Sequence, residues 1–286
     1  MPLEILASMV KPNCPAIFTF SDVITQRMVG IQNFCLSYGK TTDHHVQTMS
    51  IALNLNQTGK QLQVTPVATL VDNSGHNMDL SESFVTVVAM AWVGVNDDNL
   101  KLGNANNIGN NSSSAPIIIP TPNPIVLQAA LAGFYLSYGA SDHHLETASC
   151  AVGTGASGTS AEITGQAQMY DDTGHNAVTP TVNGGLIANG DTTLPMQVLL
   201  TDNLQNTTKL LTFDSDVSNV FSFMSSFKVQ FKNNADHHLR YISVGLNVQS
   251  HTKNTVTVTG GANLLDNTGH DQDSDISHVS GFVVGY

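Results

Sequence analysis

Apolar and polar residues alternate along much of the chain. Phe34, Leu36 and Tyr38 occupy every second position, as do Phe134, Leu136 and Tyr138, and again Phe227, Val229 and Phe231. A two-residue period is the mark of a strand with one buried face. Further on, Met49, Ile51, Leu53 and Leu55 alternate, the turn-forming run NQTGK (56–60) follows, and Leu62, Val64, Ala68 and Leu70 alternate up to Asp72. This predicts a hairpin. Ile242, Val244, Leu246 and Val248, then Val256, Val258, Ala262 and Leu264, predict another; Ala148, Cys150 and Val152 with Ile163, Ala167 and Met169 give a weaker third. Apolar stretches at 15–20, 116–122 and 209–214 predict an outer strand before each opening strand, and 84–94, 182–189 and 278–286 predict closing strands.

The pattern therefore occurs three times, and short motifs mark each copy. Asp-His-His stands at 43–45, 142–144 and 236–238; DNSGH (72–76), DDTGH (171–175) and DNTGH (266–270) follow after 27, 27 and 28 residues. Nine of the 11 histidines belong to these motifs. The expected fold is all-β: three tandem antiparallel β-sandwich units at 12–96, 114–190 and 208–286, packed as a pseudo-threefold trimer within one chain. A linear string of units is the alternative. The intervening 97–113, rich in Asn and Ser, and 191–207, with apolar PMQVLL, read as linkers.

Asp-His-His begins one hairpin leg and D-x-(S/T)-G-H ends the other, so both motifs should lie at the same end of the hairpin. Asp72, Asp171 and Asp266 share the phase of the buried positions and should need partners. His45, His144 and His238 have that phase too, although Val46, Leu145 and Leu239 lie out of register with it and suggest a bulge. The glycines at 75, 174 and 269 should turn the chain and place His76, His175 and His270 just outside the strand. Each unit would then gather two acids and three histidines. One reading is structural, with Asp accepting from a histidine N–H and from turn amides. The other is a divalent transition metal such as zinc, held by Asp43, His44, His45, Asp72 and His76, by Asp142, His143, His144, Asp171 and His175, and by Asp236, His237, His238, Asp266 and His270. Either one site per unit or one shared site on the axis would satisfy it.

Composition narrows the function. Charged residues make up only 11% of the 286 residues, with 22 acidic against 10 basic and a net charge of −12. The scattered basic residues leave no footprint for nucleic acid or anionic lipid, and no apolar run approaches a membrane span. Protonation or cation binding at the clusters would lower the magnitude of that charge near or below about pH 6.5. Cys14, Cys35 and Cys150 are too few for a disulfide framework. Cys35, set among alternating apolar residues, reads as a packed side chain rather than a partner for Cys14. Glu4 and Lys11 interrupt any signal-peptide core, so a cytoplasmic location or release by a non-classical route is expected.

Catalytic motifs are weak. There is no G-x-S-x-G elbow and no H-E-x-x-H; the glycine pattern at 153–158 falls in a hairpin turn with no helix after it, unlike a phosphate-binding loop. Trp92, the lone tryptophan, reads as a core residue or as an exposed stacking platform for a sugar ring. His251 and His278 lie outside both motifs and read as surface residues.

The strand order, the Phe-led opening strands FCLSYG (34–39) and FYLSYG (134–139), the turn glycines Gly75, Gly174 and Gly269, and the closing strand VVAMAWVG (87–94) resemble the H-type lectin domain, a small β-sandwich that trimerises. The resemblance covers each repeat in outline. Asp-His-His departs from that pattern, so no sugar-contacting residue is carried over, and the resemblance implies a binding module in a trimer-like arrangement. The leading expectation is thus a non-enzymatic, multivalent protein recognising a glycan or surface ligand. The alternatives are a structural component that packs against copies of itself, in a virion, injection apparatus or inclusion body, and a metal-dependent enzyme.

Overall fold

The strand periodicity is realised throughout the computed structural model, which describes residues 2–194 and 196–286. The first repeat forms β1 (Leu3–Val10), β2 (Ala16–Thr19), β3 (Ile24–Ser37), β4 (Thr48–Thr58), β5 (Gln61–Val71) and β6 (Phe84–Val93). The second forms β7 (Leu100–Gly109), the two-residue β8 (Ser112–Ser113) and β9 (Ile117–Ile118), β10 (Val126–Ser137), β11 (Thr147–Ser157), β12 (Ser160–Tyr170) and β13 (Thr181–Asn189). The third forms β14 (Gln197–Leu204), β15 (Thr208–Thr212), β16 (Val220–Gln230), β17 (Tyr241–His251), β18 (Thr255–Leu265) and β19 (His278–Gly285). Among the described residues no helix is long and apolar enough to cross a membrane.

The strands form three antiparallel sheets, ordered β1-β6-β3-β17-β18-β15, β2-β5-β4-β10-β13-β7 and β14-β19-β16-β11-β12-β8, with β9 also on β12. Every sheet draws on two repeats. The first, opening and closing strands of one repeat (β1, β3, β6; β7, β10, β13; β14, β16, β19) pair, through the opening strand, with the hairpin of another: β3 with β17, β10 with β4, and β16 with β11. The exchange is cyclic, so each repeat contributes to two sheets and no repeat owns one.

This topology corrects the expected linkers. Residues 97–113 and 191–207 contain β7 and β14, which pair with the closing strands β13 and β19 as β1 pairs with β6. Leu100, Leu102 and Ile108 are the buried residues that anchor β7 inside its polar run. Polarity of the remaining positions reflects a strand at a sheet edge rather than a solvated tether. Pro195, at the start of the apolar stretch in the second segment, lies outside the described residues. In repeat 2 the outer strand is reduced to β8 and β9. Pro116 and Pro120 flank the apolar run there and have no N–H to give to a ladder.

Equivalent residues of the three repeats meet inside the molecule. The rings of Phe34, Phe134 and Phe227 contact one another, with centroids 5.4, 5.5 and 5.5 Å apart. Four residues earlier on these strands stand Gly30, Ala130 and Phe223. A Cβ at Gly30 would lie 2.8 Å from the Ala130 Cβ and 3.0 Å from the Phe223 ring. Three bulky side chains do not fit there, and the chain supplies one large and two small.

Candidate functional site

The two motifs come together as the hairpins require, beyond the ends of β4/β5, β11/β12 and β17/β18. Asp72 follows β5 and is only 4% exposed; Asp171 and Asp266 are equally buried, at 5% and 4%. The following turn supplies the partners. Asp72 Oδ1 accepts the backbone N–H groups of Ser74 (3.0 Å) and His76 (2.8 Å), and Oδ2 accepts the Ser74 hydroxyl (2.8 Å) and His76 Nδ1 (2.6 Å). Gly75 makes this loop possible with φ +96°, a conformation open to glycine and strained for other residues. Asp171 repeats the set with Thr173 and His175, and Asp266 with Thr268 and His270.

The first histidine of each Asp-His-His packs on this turn. His44 stacks on His76 at 3.8 Å, His143 on His175 at 3.8 Å and His237 on His270 at 4.0 Å. Behind them the edges or faces of Tyr38, Tyr138 and Phe231 lie 5.0 Å away. Nδ1 of His44 also approaches Asp72 (3.6 Å), that of His143 approaches Asp171 (3.4 Å) and that of His237 approaches Asp266 (3.7 Å).

The Asp-His-His segments do not continue the strands. They bridge one another in antiparallel fashion: His44 exchanges two backbone hydrogen bonds with Leu239, Val46 with His143, and Leu145 with His237. The three repeats are thereby tied in a ring. Here the expected register is corrected: Val46, Leu145 and Leu239 are the fully buried positions, so the second histidine of each Asp-His-His turns to the opposite side. His45, His144 and His238, with side chains 39%, 39% and 43% exposed, converge instead on each other. Their ring centroids are 4.6, 4.6 and 4.8 Å apart.

Each converging histidine is backed by the first aspartate of another repeat: His45 by Asp142 (3.6 Å), His144 by Asp236 (3.2 Å) and His238 by Asp43 (3.5 Å), all through Nδ1. Asp142 accepts the N–H of Asn73 and Asp43 that of Asn267. The equivalent position in repeat 2 is Asp172. Its carboxyl is held above the ordinary range by lost hydration and by Asp236 beside it. The arrangement thus differs from five ligands per unit. It contains three outer groups (His44/Asp72/His76, His143/Asp171/His175, His237/Asp266/His270) and one central group of three histidines. In each, ligand atoms lie within 4.8 Å of one another, so each could hold a metal ion.

Burial raises the Asp72 and Asp266 carboxyls, but the bonds from the turn hydroxyl and histidine outweigh it and hold both well below the usual range; Asp171 is held at about 2 in the same way. Burial lowers His44 and His237, helped by the stacked histidine of each pair. It lowers His45 too, helped by His144 and His238.

Comparison with protein-family models, curated proteins and solved structures finds no match to this chain.

Trp92 lies away from this end. It is 5% exposed, sits in a core cluster with Leu3, Met28 and Met90, and donates its indole N–H to the Val95 carbonyl at 2.8 Å. With its polar edge satisfied and its faces covered, it offers no stacking platform. All three cysteines are free thiols. His251 is exposed, whereas His278 is half-buried and contacts the Ile276 carbonyl. Two sets of participants went unread in the sequence. One is the Ser74/Thr173/Thr268 hydroxyls, signalled by the S/T that recurs in all three copies of the motif. The other is the Tyr38 and Tyr138 hydroxyls, which donate to the carbonyls of His45 and His144.

Proposed function

We propose that this chain is a non-enzymatic assembly module, built as the single-chain counterpart of a trimer, whose three repeats close around one line and present equivalent flanks for attachment. The observation that carries the reading is the mutual contact of equivalent residues, His45 with His144 and His238, and Phe34 with Phe134 and Phe227. Three equivalent flanks allow attachment with avidity. The flanks are apolar where they end: Ile17 on β2, Ile118 on β9 and Leu210 on β15 are exposed on outer strands, beside unpaired sheet edges. Such edges pair with further strands unless blocked by charge, and this chain carries little charge. The outer aspartates already accept at least four bonds each from their own turns, which suits a structural role better than proton transfer.

Light scattering across a concentration series tests the reading. Reversible self-association is expected, and Ile17→Lys, Ile118→Lys and Leu210→Lys together should abolish it. A wild-type chain that stays monomeric to millimolar concentration would contradict it.

A groove of mixed polar and apolar lining favours a second reading, glycan or surface-ligand recognition. Ser112, Ser113, Thr164 and Gln166 help line a cavity of about 520 Å³, and hydroxyl and amide groups of this kind suit a hydroxyl-rich ligand. It is formed by β8, β11 and β12 of repeat 2, where the outer strand is shortest. Binding on a glycan array that is lost in Gln166→Ala would favour this reading.

A further inference from the structure

The three outer groups and the central group differ in what their geometry leaves open. In each outer group the carboxylate oxygens are occupied by the turn, and the two imidazoles lie nearly parallel, inclined by 16°, 24° and 19°. A ring nitrogen's lone pair lies in the ring plane. An ion midway between two rings stacked this closely would sit roughly 2 Å out of both planes, so the pair cannot direct two good bonds to it.

The central rings are inclined to each other by 70°, 82° and 65°, a propeller whose in-plane lone pairs can converge. Each Nδ1 faces a carboxylate, which leaves Nε2 as the lone-pair nitrogen. A carboxylate behind a histidine is the arrangement that fixes the tautomer and orientation of metal-ligating imidazoles. The backbone bridges of His44, His143 and His237 hold the adjoining residues in place.

Charge supplies a second argument. Among the described residues, Asp43, Asp142 and Asp236 form ion pairs with histidines and with no lysine or arginine. Asp172 adds a further acid beside Asp236. Neutral imidazoles leave these carboxylates uncompensated, and a dication offsets a large part of their charge.

We infer that His45, His144 and His238 together bind one divalent transition-metal ion of the zinc class, with Asp142, Asp236 and Asp43 as orienting residues. Imidazole donors suit zinc, nickel, cobalt or copper rather than calcium or magnesium. The half-exposed rings leave the outward side open, so the ion keeps a coordination position for water or an external donor. The inference rests on the repeats closing around one line, as in the proposed function, but not on self-association. Metal stoichiometry and oligomeric state are separate readouts, so either can fail alone.

The test is titration of chelator-treated protein with cobalt(II) and zinc(II), followed by visible absorption and calorimetry, with circular dichroism to confirm the fold. One ion per chain is expected. His144→Ala should abolish the cobalt band, Asp236→Asn should weaken affinity by about 10- to 100-fold, and His175→Ala should leave stoichiometry and affinity unchanged. Should His144→Ala fail to fold, Asp236→Asn and His238→Gln carry the same comparison. Three ions per chain that are lost with outer-group variants, or no binding tighter than millimolar, would overturn the assignment.

Discussion

His76 donates Nδ1–H to Asp72 across 2.6 Å, closing a loop in which one buried carboxylate also accepts two backbone N–H groups and a hydroxyl. The same loop occurs at Asp171 and Asp266. Asp72→Ala strands these donors at a nearly dry position, where each charge-assisted bond is worth about 1.5–3 kcal/mol. A loss of about 2–4 kcal/mol in unfolding free energy is expected by urea denaturation, with Asp171→Ala and Asp266→Ala close to it.

The acid limb of stability follows from the same groups. Asp72, Asp171 and Asp266 titrate lower in the folded chain than in the unfolded one, and so do His44, His45 and His237. Both kinds bind protons more readily when unfolded, so stability falls as pH falls. The histidine contribution is lost from about pH 6.5 downward and the aspartate contribution from about pH 4 toward pH 2. Denaturant midpoints measured with chelator between pH 7.5 and pH 2.5 should decline in two stages. Asp72→Ala should shrink the lower stage without removing it, since Asp171 and Asp266 remain, and should deepen the upper one, since Asp72 favours the charged form of His44.

Gly30, Ala130 and Phe223 share one crowded place. Gly30→Val should destabilise by about 1–3 kcal/mol through overpacking. Phe223→Ala in the same chain should recover part of that loss. Additive effects in this double-mutant cycle would show that the two residues do not touch.

Trp92 should emit at short wavelength and resist acrylamide quenching, as a desolvated indole does. Trp92→Ala should cost about 3–5 kcal/mol. Sugars should leave the emission unchanged.

Much of this architecture was legible because period-2 alternation reports burial directly. Phe34, Met49, Leu62 and Leu70 are buried where the alternation placed them, and the matched hairpin legs brought His44 to Asp72 and His76. What escaped were features fixed between repeats. β7 has few apolar residues because an edge strand buries little, so it read as a tether. The pairing of β3 with β17 and of β10 with β4 is equally compatible, in alternation, with pairing inside one repeat. The turning of His45 away from Val46 depends on bridges to residues some 100 or 200 positions distant, which no local pattern encodes. Local chemistry was readable at Asp72, where all hydrogen-bond partners lie within four residues. It was unreadable at His45, whose partners Asp142, His144 and His238 come from other repeats.

The most direct measurement is anomalous diffraction at the zinc edge from crystals grown with zinc. The account predicts one peak enclosed by the rings of His45, His144 and His238, with Asp142, Asp236 and Asp43 behind them. Peaks confined to the outer groups, or a structure in which those three histidines lie apart, would contradict it.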